Sequence, residues 1–281
     1  MLVAARGFAF DVDVDGPADG APVLLLHGFP ENRRMWAPVV PFLHAAGLRT
    51  IAPDQRGYSP GARPEGVEAY RIDELAADAL GILDALDIAG PAHVVGHDWG
   101  SVVGWRLAAH HAERVHTWTA VSVPHPAAFD AAVVNDADQR ERSSYIRLFR
   151  QPGKAEELLL ADGAARLRRL FADAGPVDVD RFVAPLREPG ALTAALNWYR
   201  AYNRDLAGDP TRVAVPTTYV WSDADVAIGP TAALACGAHV DGEYRMVTLG
   251  GVSHWIAEEA PGALAGAIVD RVRSGSLRRR A

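Results

Sequence analysis

The chain has 281 residues, of which 49% are hydrophobic and 22% charged, which is enough for one large domain with a buried core. Its 28 basic and 35 acidic residues give a formal net charge of −7, which argues against nucleic acid or an anionic membrane as a partner. The single cysteine, Cys236, excludes an internal disulfide, and no stretch has the pattern of a membrane span or a secretory leader. We therefore expect a cytoplasmic protein, and nothing in the pattern indicates its oligomeric state.

The first part of the chain alternates strand-like and helix-like segments. Strands are predicted over residues 8–14, which alternate with period two, and over the apolar runs 23–26, 48–52 and 115–121. Residues 54–64, rich in Gly, Pro and Arg, are typical of a loop, and apolar residues at helical spacing from Ile72 to Leu86 predict an amphipathic helix. This order predicts an α/β fold with a mostly parallel sheet flanked by helices.

The pattern changes after residue 125. Residues 127–209 show helical spacing and no convincing strand, with breaks at three Pro and Gly pairs. Strand-like runs return at 216–221 and 244–249, and residues 260–272 favour a closing helix. We therefore predict an α/β core, residues 1–125 and 210–281, interrupted by an all-helical cap over residues 126–209.

Asp98 stands between a short apolar run and a predicted helix, in the sequence Gly-His-Asp-Trp-Gly of residues 96–100. Strand, sharp turn and helix are typical of a nucleophile elbow, where serine is the usual residue. A carboxylate there favours attack at a carbon that carries a leaving group or ring strain. The competing interpretation is that Asp98 caps the helix, but glycines on both sides disfavour it.

Two more residues complete a triad in the chain order nucleophile, acid, histidine. Asp225 follows the strand that ends at Trp221, and His254 follows the last predicted strand. Open α/β sheets place their sites at the carboxyl ends of strands, where all three candidates lie. Asp223 competes as the acid, although its position favours a turn residue.

These motifs resemble the α/β-hydrolase fold superfamily and, within it, the epoxide hydrolases. The sequence His-Gly-Phe-Pro of residues 27–30 matches the oxyanion loop of that family. Residues 96–100 match the elbow of its Asp-nucleophile branch, which epoxide hydrolases share with haloalkane dehalogenases. The resemblance implies an α/β-hydrolase fold and an oxyanion hole formed by the backbone N–H groups of Phe29 and Trp99.

The helical segment distinguishes between the members of that branch. Residues 144–156 and 196–200 resemble the two cap segments of epoxide hydrolases that each carry a catalytic tyrosine. The resemblance therefore implies Tyr145 and Tyr199 as donors to the epoxide oxygen, although aromatic residues in a helical cap are more often packing residues. It also implies that an epoxide and water react through a covalent ester on Asp98 to give a vicinal diol. No metal or organic cofactor is expected, since no ligand-spaced His/Cys cluster or dinucleotide motif occurs.

Two other functions stay open. A haloalkane dehalogenase shares the Asp-His-Asp set, but its loop usually has a polar residue in place of Phe29 and its cap usually lacks the tyrosine pair. A fluoroacetate-type enzyme places an arginine soon after the nucleophile, whereas Arg106 lies deep in the following helix. A non-catalytic ligand-binding relative would keep the pocket and lose turnover, and the complete triad argues against it.

Overall fold

A computed structural model describes residues 1–202 and 211–278 of the chain. The strands are β1 Leu2–Ala5, β2 Phe8–Asp15, β3 Ala21–Leu26, β4 Leu48–Pro53, β5 Ala92–His97, β6 Val115–Val121, β7 Thr217–Ser222 and β8 Tyr244–Leu249. They form one eight-stranded sheet in the order β1-β2-β4-β3-β5-β6-β7-β8. β2 pairs antiparallel with β1 and β4, and every other pair is parallel. The predicted α/β architecture with a mostly parallel sheet is confirmed.

Helices connect and cover these strands. The α-helices are α1 Val40–Ala45, α2 Ile72–Ala85, α3 Trp99–His110, α4 Pro126–Asn135, α5 Ala137–Arg142, α6 Ile146–Phe149, α7 Lys154–Arg169, α8 Asp180–Leu186, α9 Ala191–Ala201, α10 Pro230–Ala235, α11 Ile256–Glu259 and α12 Pro261–Arg278. α2 packs on α3, and α1 packs on α12, so two helix pairs flank the sheet. β1, α1 and α10 had no counterpart among the predicted elements.

The apolar pattern of the strands explains where the core lies. Every residue of β5 and β7 is buried, as expected for central parallel strands between two helix layers. β2 lies nearer the edge and alternates, with Phe10 and Val12 fully buried and Asp13 exposed. The parallel strands β3 and β5 to β8 all end at the same edge of the sheet, which brings the loops after them together.

A helical insertion, α4 to α9, lies between β6 and β7, and the described residues 126–202 contain no strand. Two of its helices begin at predicted breaks: α7 after Pro152–Gly153 and α9 after Pro189–Gly190. Within α7, residues 161–164 leave the helical conformation, and three of the four have positive φ. The predicted end of the insertion, residue 209, lies outside the described residues.

The insertion contacts the core around the carboxyl ends of the strands. The indole of Trp198 donates to the Arg56 carbonyl at 2.9 Å, and Phe171 stacks on Trp255 with ring centroids 4.3 Å apart. These contacts hold the insertion directly over the edge of the sheet where the candidate residues lie.

Candidate active site

Asp98 occupies the sharp turn between β5 and α3, with φ +52° and ψ −118°. Such angles are unfavourable for a residue with a Cβ, and strain of this kind is typical of a nucleophile elbow. Two glycines make room for the turn. A Cβ on Gly100 would lie 2.1 Å from the Leu26 carbonyl oxygen, and one on Gly28 would lie 2.3 Å from the Cβ of Asp98. Asp98 makes no side-chain capping bond to α3, in contrast to a helix N-cap.

The two oxygens of the Asp98 carboxylate have different neighbours. Its Oδ1 accepts the backbone N–H of Phe29 at 2.8 Å, and its Oδ2 lies 3.8 Å from Nε2 of His254. Phe29 is one of the two predicted oxyanion donors. Trp99, the other, is the first residue of α3, so its N–H has no acceptor within the helix.

The structure brings His254 and Asp225 together from neighbouring strand ends. Nδ1 of His254 lies 3.0 Å from Oδ2 and 3.1 Å from Oδ1 of Asp225. Oδ1 also accepts the backbone N–H groups of Ala227 and Ile228 at 2.8 and 3.0 Å, which hold the carboxylate in place. The competing acid, Asp223, is exposed and accepts a backbone N–H from the loop after β8.

Nearby charge sets the protonation of His254. Burial by itself lowers the pKa of His254, but the carboxylates of Asp225, Asp98 and Glu31 outweigh it and raise that pKa to about 9. Burial favours the neutral form of Asp225, yet the charge of His254 and the hydrogen bonds at its carboxylate lower its pKa overall. At neutral pH the His254 ring is therefore protonated, between the side chains of Asp225 and Asp98.

Tyr145 and Tyr199 reach the same space from the insertion. Tyr145 directly precedes α6 and Tyr199 lies in α9, with ring centroids 6.3 Å apart, and both line a cavity that also contains Asp98. Burial raises the pKa of both phenols, and the Asp98 carboxylate adds to the effect. Both are therefore protonated at neutral pH and can donate a hydrogen bond. The Tyr199 ring also packs edge-on against Trp99 and Phe149, at 4.9 and 5.0 Å between centroids.

The cavity has a volume of about 530 Å³, which is the size of a pocket for a drug-sized molecule. Its apolar wall includes Val102, Val123, Phe129, Val133, Ile146 and Ile228. Charged side chains of the insertion also line it, namely Asp130, Arg140, Glu141, Arg147 and Arg150. The carboxylate and the two phenols thus share one cavity that has both an apolar wall and charged side chains.

Two histidines beside the motifs orient loops. Nε2 of His27 accepts the backbone N–H of Gln55 at 3.0 Å, and Nε2 of His97 lies 2.9 Å from the carbonyl oxygen of His254. Burial lowers the pKa of each ring to about 4, so both are neutral at pH 7. A neutral His97 then donates from Nε2 to that carbonyl and supports the backbone of His254.

Two buried residues of the site were not among the predicted ones. Ser122, just after β6, donates to Oδ2 of Asp225 at 2.6 Å. Glu31 is fully buried with Oε2 at 3.1 Å from Nδ1 of His97, and burial raises its pKa to about 7. A serine that follows a strand does not by itself indicate a functional residue, so the sequence pattern did not point to Ser122. Glu31 follows the His-Gly-Phe-Pro loop directly, and that adjacency was the only available signal.

Three further observations concern Arg106, metal binding and membrane-spanning helices. Arg106 pairs with Asp73 of α2 at 2.6 Å and is not among the residues that line the cavity with Asp98. In residues 1–202 and 211–278, no three His, Cys, Asp or Glu side chains are grouped so as to hold a metal ion. Across the same ranges, no helix combines the length and apolar character needed to cross a membrane.

Comparisons with known proteins identify the family. Residues 21–261 match the model of the α/β hydrolase fold family. The chain is 35% identical to AB hydrolase superfamily protein YfhM of Bacillus subtilis, with 93% of each chain covered. It is 34% identical to Epoxide hydrolase A of Mycobacterium tuberculosis, with 99% of this chain and 98% of the relative covered.

Solved structures show the same similarity. The crystal structure of Epoxide Hydrolase A from Mycobacterium thermoresistibile superposes with a TM-score of 0.84 at 31% identity, covering 97% of both chains. An epoxide hydrolase of Bacillus megaterium in complex with an inhibitor gives a TM-score of 0.87 at 23% identity, which speaks for the fold alone. The similarity extends over the sheet and the helical insertion together.

Proposed function

The chain belongs to the α/β-hydrolase fold family and, within it, to the epoxide hydrolases, and on that basis we propose that it opens an epoxide to a vicinal diol through a covalent hydroxyalkyl ester on Asp98. One observation carries the proposal: the Asp98 carboxylate shares its cavity with the protonated phenols of Tyr145 and Tyr199. A strained ring opens under attack by a carboxylate, but its oxygen leaves poorly unless donors stabilise the developing charge.

In the first step, Oδ2 of Asp98 attacks one ring carbon, and the bond from that carbon to the ring oxygen breaks. The Phe29 N–H on Oδ1 supports this choice, because it leaves Oδ2 as the attacking atom. The hydroxyls of Tyr145 and Tyr199 donate to the liberated oxygen as its charge develops. A halide leaves without taking up a proton, so the pair of protonated tyrosines favours an epoxide over a haloalkane as the substrate.

The same step changes the charge around His254. Ester formation neutralises Asp98, and without that carboxylate the pKa of His254 falls from its raised value of about 9. The liberated oxygen takes a proton from a tyrosine hydroxyl, and solvent returns a proton to that tyrosine. His254 releases its own proton to solvent as its pKa falls, so the number of protons in the site is conserved. The imidazole is then neutral and able to act as a base when the ester is present.

In the second step, His254 takes a proton from water, and the resulting hydroxide attacks Cγ of Asp98. The negative charge that develops on Oδ1 is held by the backbone N–H groups of Phe29 and Trp99. The bond from Cγ to the ester oxygen then breaks, and the departing alkoxide takes the proton of the hydroxyl that water added to Cγ. The diol leaves, and the Asp98 carboxylate and protonated His254 are regenerated. Asp225 orients the imidazole and stabilises its charge throughout.

We further propose that residues 126–209 act as a cap that completes the cavity over a core of residues 1–125 and 210–281. The contribution of the helical insertion to the cavity wall supports this division. A cytoplasmic location remains a prediction, supported by a lone, buried cysteine, Cys236. Cell fractionation with an antibody against the full chain tests it directly.

A substrate comparison tests the reaction class. The purified enzyme is offered a styrene-type oxide and, separately, a bromoalkane of similar size, and diol and bromide are measured. Diol without bromide is the expected result. Bromide without diol would instead assign a dehalogenase, and saturable binding without either product would assign a non-catalytic binding protein.

An isotope experiment tests the ester. A single turnover in oxygen-18 water should leave the label in the Asp98 carboxylate, because the water attacks Cγ of Asp98 and not the substrate carbon. Label found only in the diol would refute the ester route. His254→Gln should stall after the first step, so the intact mass of that variant should increase by the mass of one epoxide.

A further inference from the structure

Ser122 ends β6 in a strained backbone turn. Its φ is +66°, and the N–H of Val123 donates to the Val121 carbonyl at 2.9 Å, which makes a γ-turn of the rare form with a positive central φ. Two hydrogen bonds to the neighbouring strand β7 hold the turn. The Ser122 N–H donates to the Val220 carbonyl at 2.9 Å, and the Tyr219 hydroxyl donates to the Ser122 carbonyl at 2.6 Å. A non-glycine residue held in this conformation indicates that the direction of its side chain matters.

The Ser122 hydroxyl lies between the two partners of the acid–histidine pair. Its Oγ donates to Oδ2 of Asp225 at 2.6 Å and lies 3.0 Å from Nδ1 of His254. The hydroxyl has one proton, which Asp225 accepts, so its lone pairs remain for Nδ1–H. Nδ1–H then faces three oxygens within 3.1 Å: the two of Asp225 and the one of Ser122.

The two carboxylate oxygens of Asp225 differ in how they are held. Oδ1 is fixed by the backbone N–H groups of Ala227 and Ile228 as well as by His254. Oδ2 has only Ser122 and His254 as partners among the described residues. Removal of the hydroxyl would leave Oδ2 bound to the imidazole alone, and the carboxylate would be free to rotate about its Oδ1 contacts.

We propose that Ser122 is a positioning residue for hydrolysis of the ester, an inference that rests on the proposed function above. In that step His254 must keep its proton on Nδ1, direct Nε2 at the water and then become charged. The Ser122 hydroxyl fixes Asp225 and gives Nδ1–H an additional acceptor as this happens. Ester formation uses Asp98 and the two tyrosines and does not use His254 as a base, so it depends little on Ser122.

The test separates the two steps in Ser122→Ala and Ser122→Gly. Each full-length variant is mixed with a styrene-type oxide, quenched at short times and analysed by intact mass for the adduct. We expect adduct formation within about threefold of the wild type and adduct decay slowed about tenfold, since a hydrogen bond to a charged group is lost. The ester should therefore accumulate. Ser59→Ala, which removes a buried serine hydroxyl away from the triad, should change neither rate.

The glycine variant distinguishes the hydroxyl from the backbone. Glycine adopts a positive φ without strain, so Ser122→Gly relaxes the turn but still lacks the hydroxyl. Wild-type adduct decay in Ser122→Gly would overturn the inference, as would equal slowing of both steps in the two variants. If neither variant folds, Tyr219→Phe can be used instead, because it removes the hydrogen bond to the Ser122 carbonyl and keeps the Ser122 hydroxyl. Selective slowing of adduct decay in Tyr219→Phe supports the inference, and equal slowing of both steps overturns it. A wild-type enzyme that makes diol without any adduct would instead refute the ester route itself.

Discussion

Asp98→Asn should convert His254 from a charged into a neutral ring at pH 7. Oδ2 of Asp98 lies 3.8 Å from Nε2 of His254, and the carboxylate is one of the groups that raise the pKa of His254 to about 9. Two unit charges about 4 Å apart interact by about 4 kcal/mol at an effective dielectric constant of about 20. That energy corresponds to about a thousandfold change in proton affinity, which is enough to carry His254 through neutrality.

The substitution imitates the ester electrostatically, because asparagine has the shape of aspartate without its charge. Nuclear magnetic resonance of labelled histidine side chains, followed across pH in the wild type and in Asp98→Asn, measures the change. Asp223→Asn is the matched control: it removes an exposed carboxylate from the same end of the sheet and should leave the titration of His254 unchanged. A ring in Asp98→Asn that still titrates above pH 8 would refute the idea that ester formation switches His254 into a base.

Three further predictions concern other parts of the molecule. Tyr145→Phe and Tyr199→Phe should each slow epoxide opening about 10²- to 10³-fold. The double variant should form no measurable diol but should melt at the same temperature as the wild type, because the rings still pack. Diol formation by the double variant would contradict the role of the two tyrosines. Burial raises the pKa of Glu31 to about 7 from an ordinary 4.5, so the folded state binds more protons between those values and stability falls as pH rises through that window. The gain in free energy of unfolding of Glu31→Gln over the wild type, measured by urea unfolding, should therefore be about 3 kcal/mol larger at pH 8 than at pH 5. The exposed Glu65→Gln is the control. Equal effects of Glu31→Gln at both pH values would contradict the titration of Glu31. Gly100→Ala should lower the free energy of unfolding by about 1–3 kcal/mol because of its clash with the Leu26 carbonyl, and a thermal scan that matches the wild type would contradict the steric account.

Prediction from sequence succeeded where local pattern and local structure coincide. β6 and β8 have the predicted bounds, and β3, with its continuous apolar run, is buried as a central strand. β1 was missed because four residues at a chain end show no periodicity that separates an edge strand from a tail. α1 and α10 were missed because six-residue helices hold too few turns for an amphipathic pattern.

For the candidate site residues, too, the local sequence pattern predicted some features and the tertiary structure decided others. Asp98, Asp225 and His254 could be selected as candidates because each lies just after a strand-like run, in a chain order typical of the fold. The preference for Asp225 over Asp223 rested on the turn-like position of Asp223, and only the structure shows Asp225 buried against His254 and Asp223 exposed. These two carboxylates are two residues apart in the chain, so their different surroundings come from the way the loop after β7 folds.

The sequence by itself determined the α/β architecture, the strained position of Asp98 and the chain order of the triad, because these depend on patterns between residues that are near one another in the chain. Only the tertiary structure decided the contacts across long separations: the cavity shared by Asp98 and the two tyrosines, the Ser122 hydroxyl against Asp225, and the burial of Glu31 behind His97. The physical reason is that pKa and hydrogen bonding depend on distance and desolvation in space. Residues 122 and 225 come within 2.6 Å only because β6 and β7 are neighbours in the sheet.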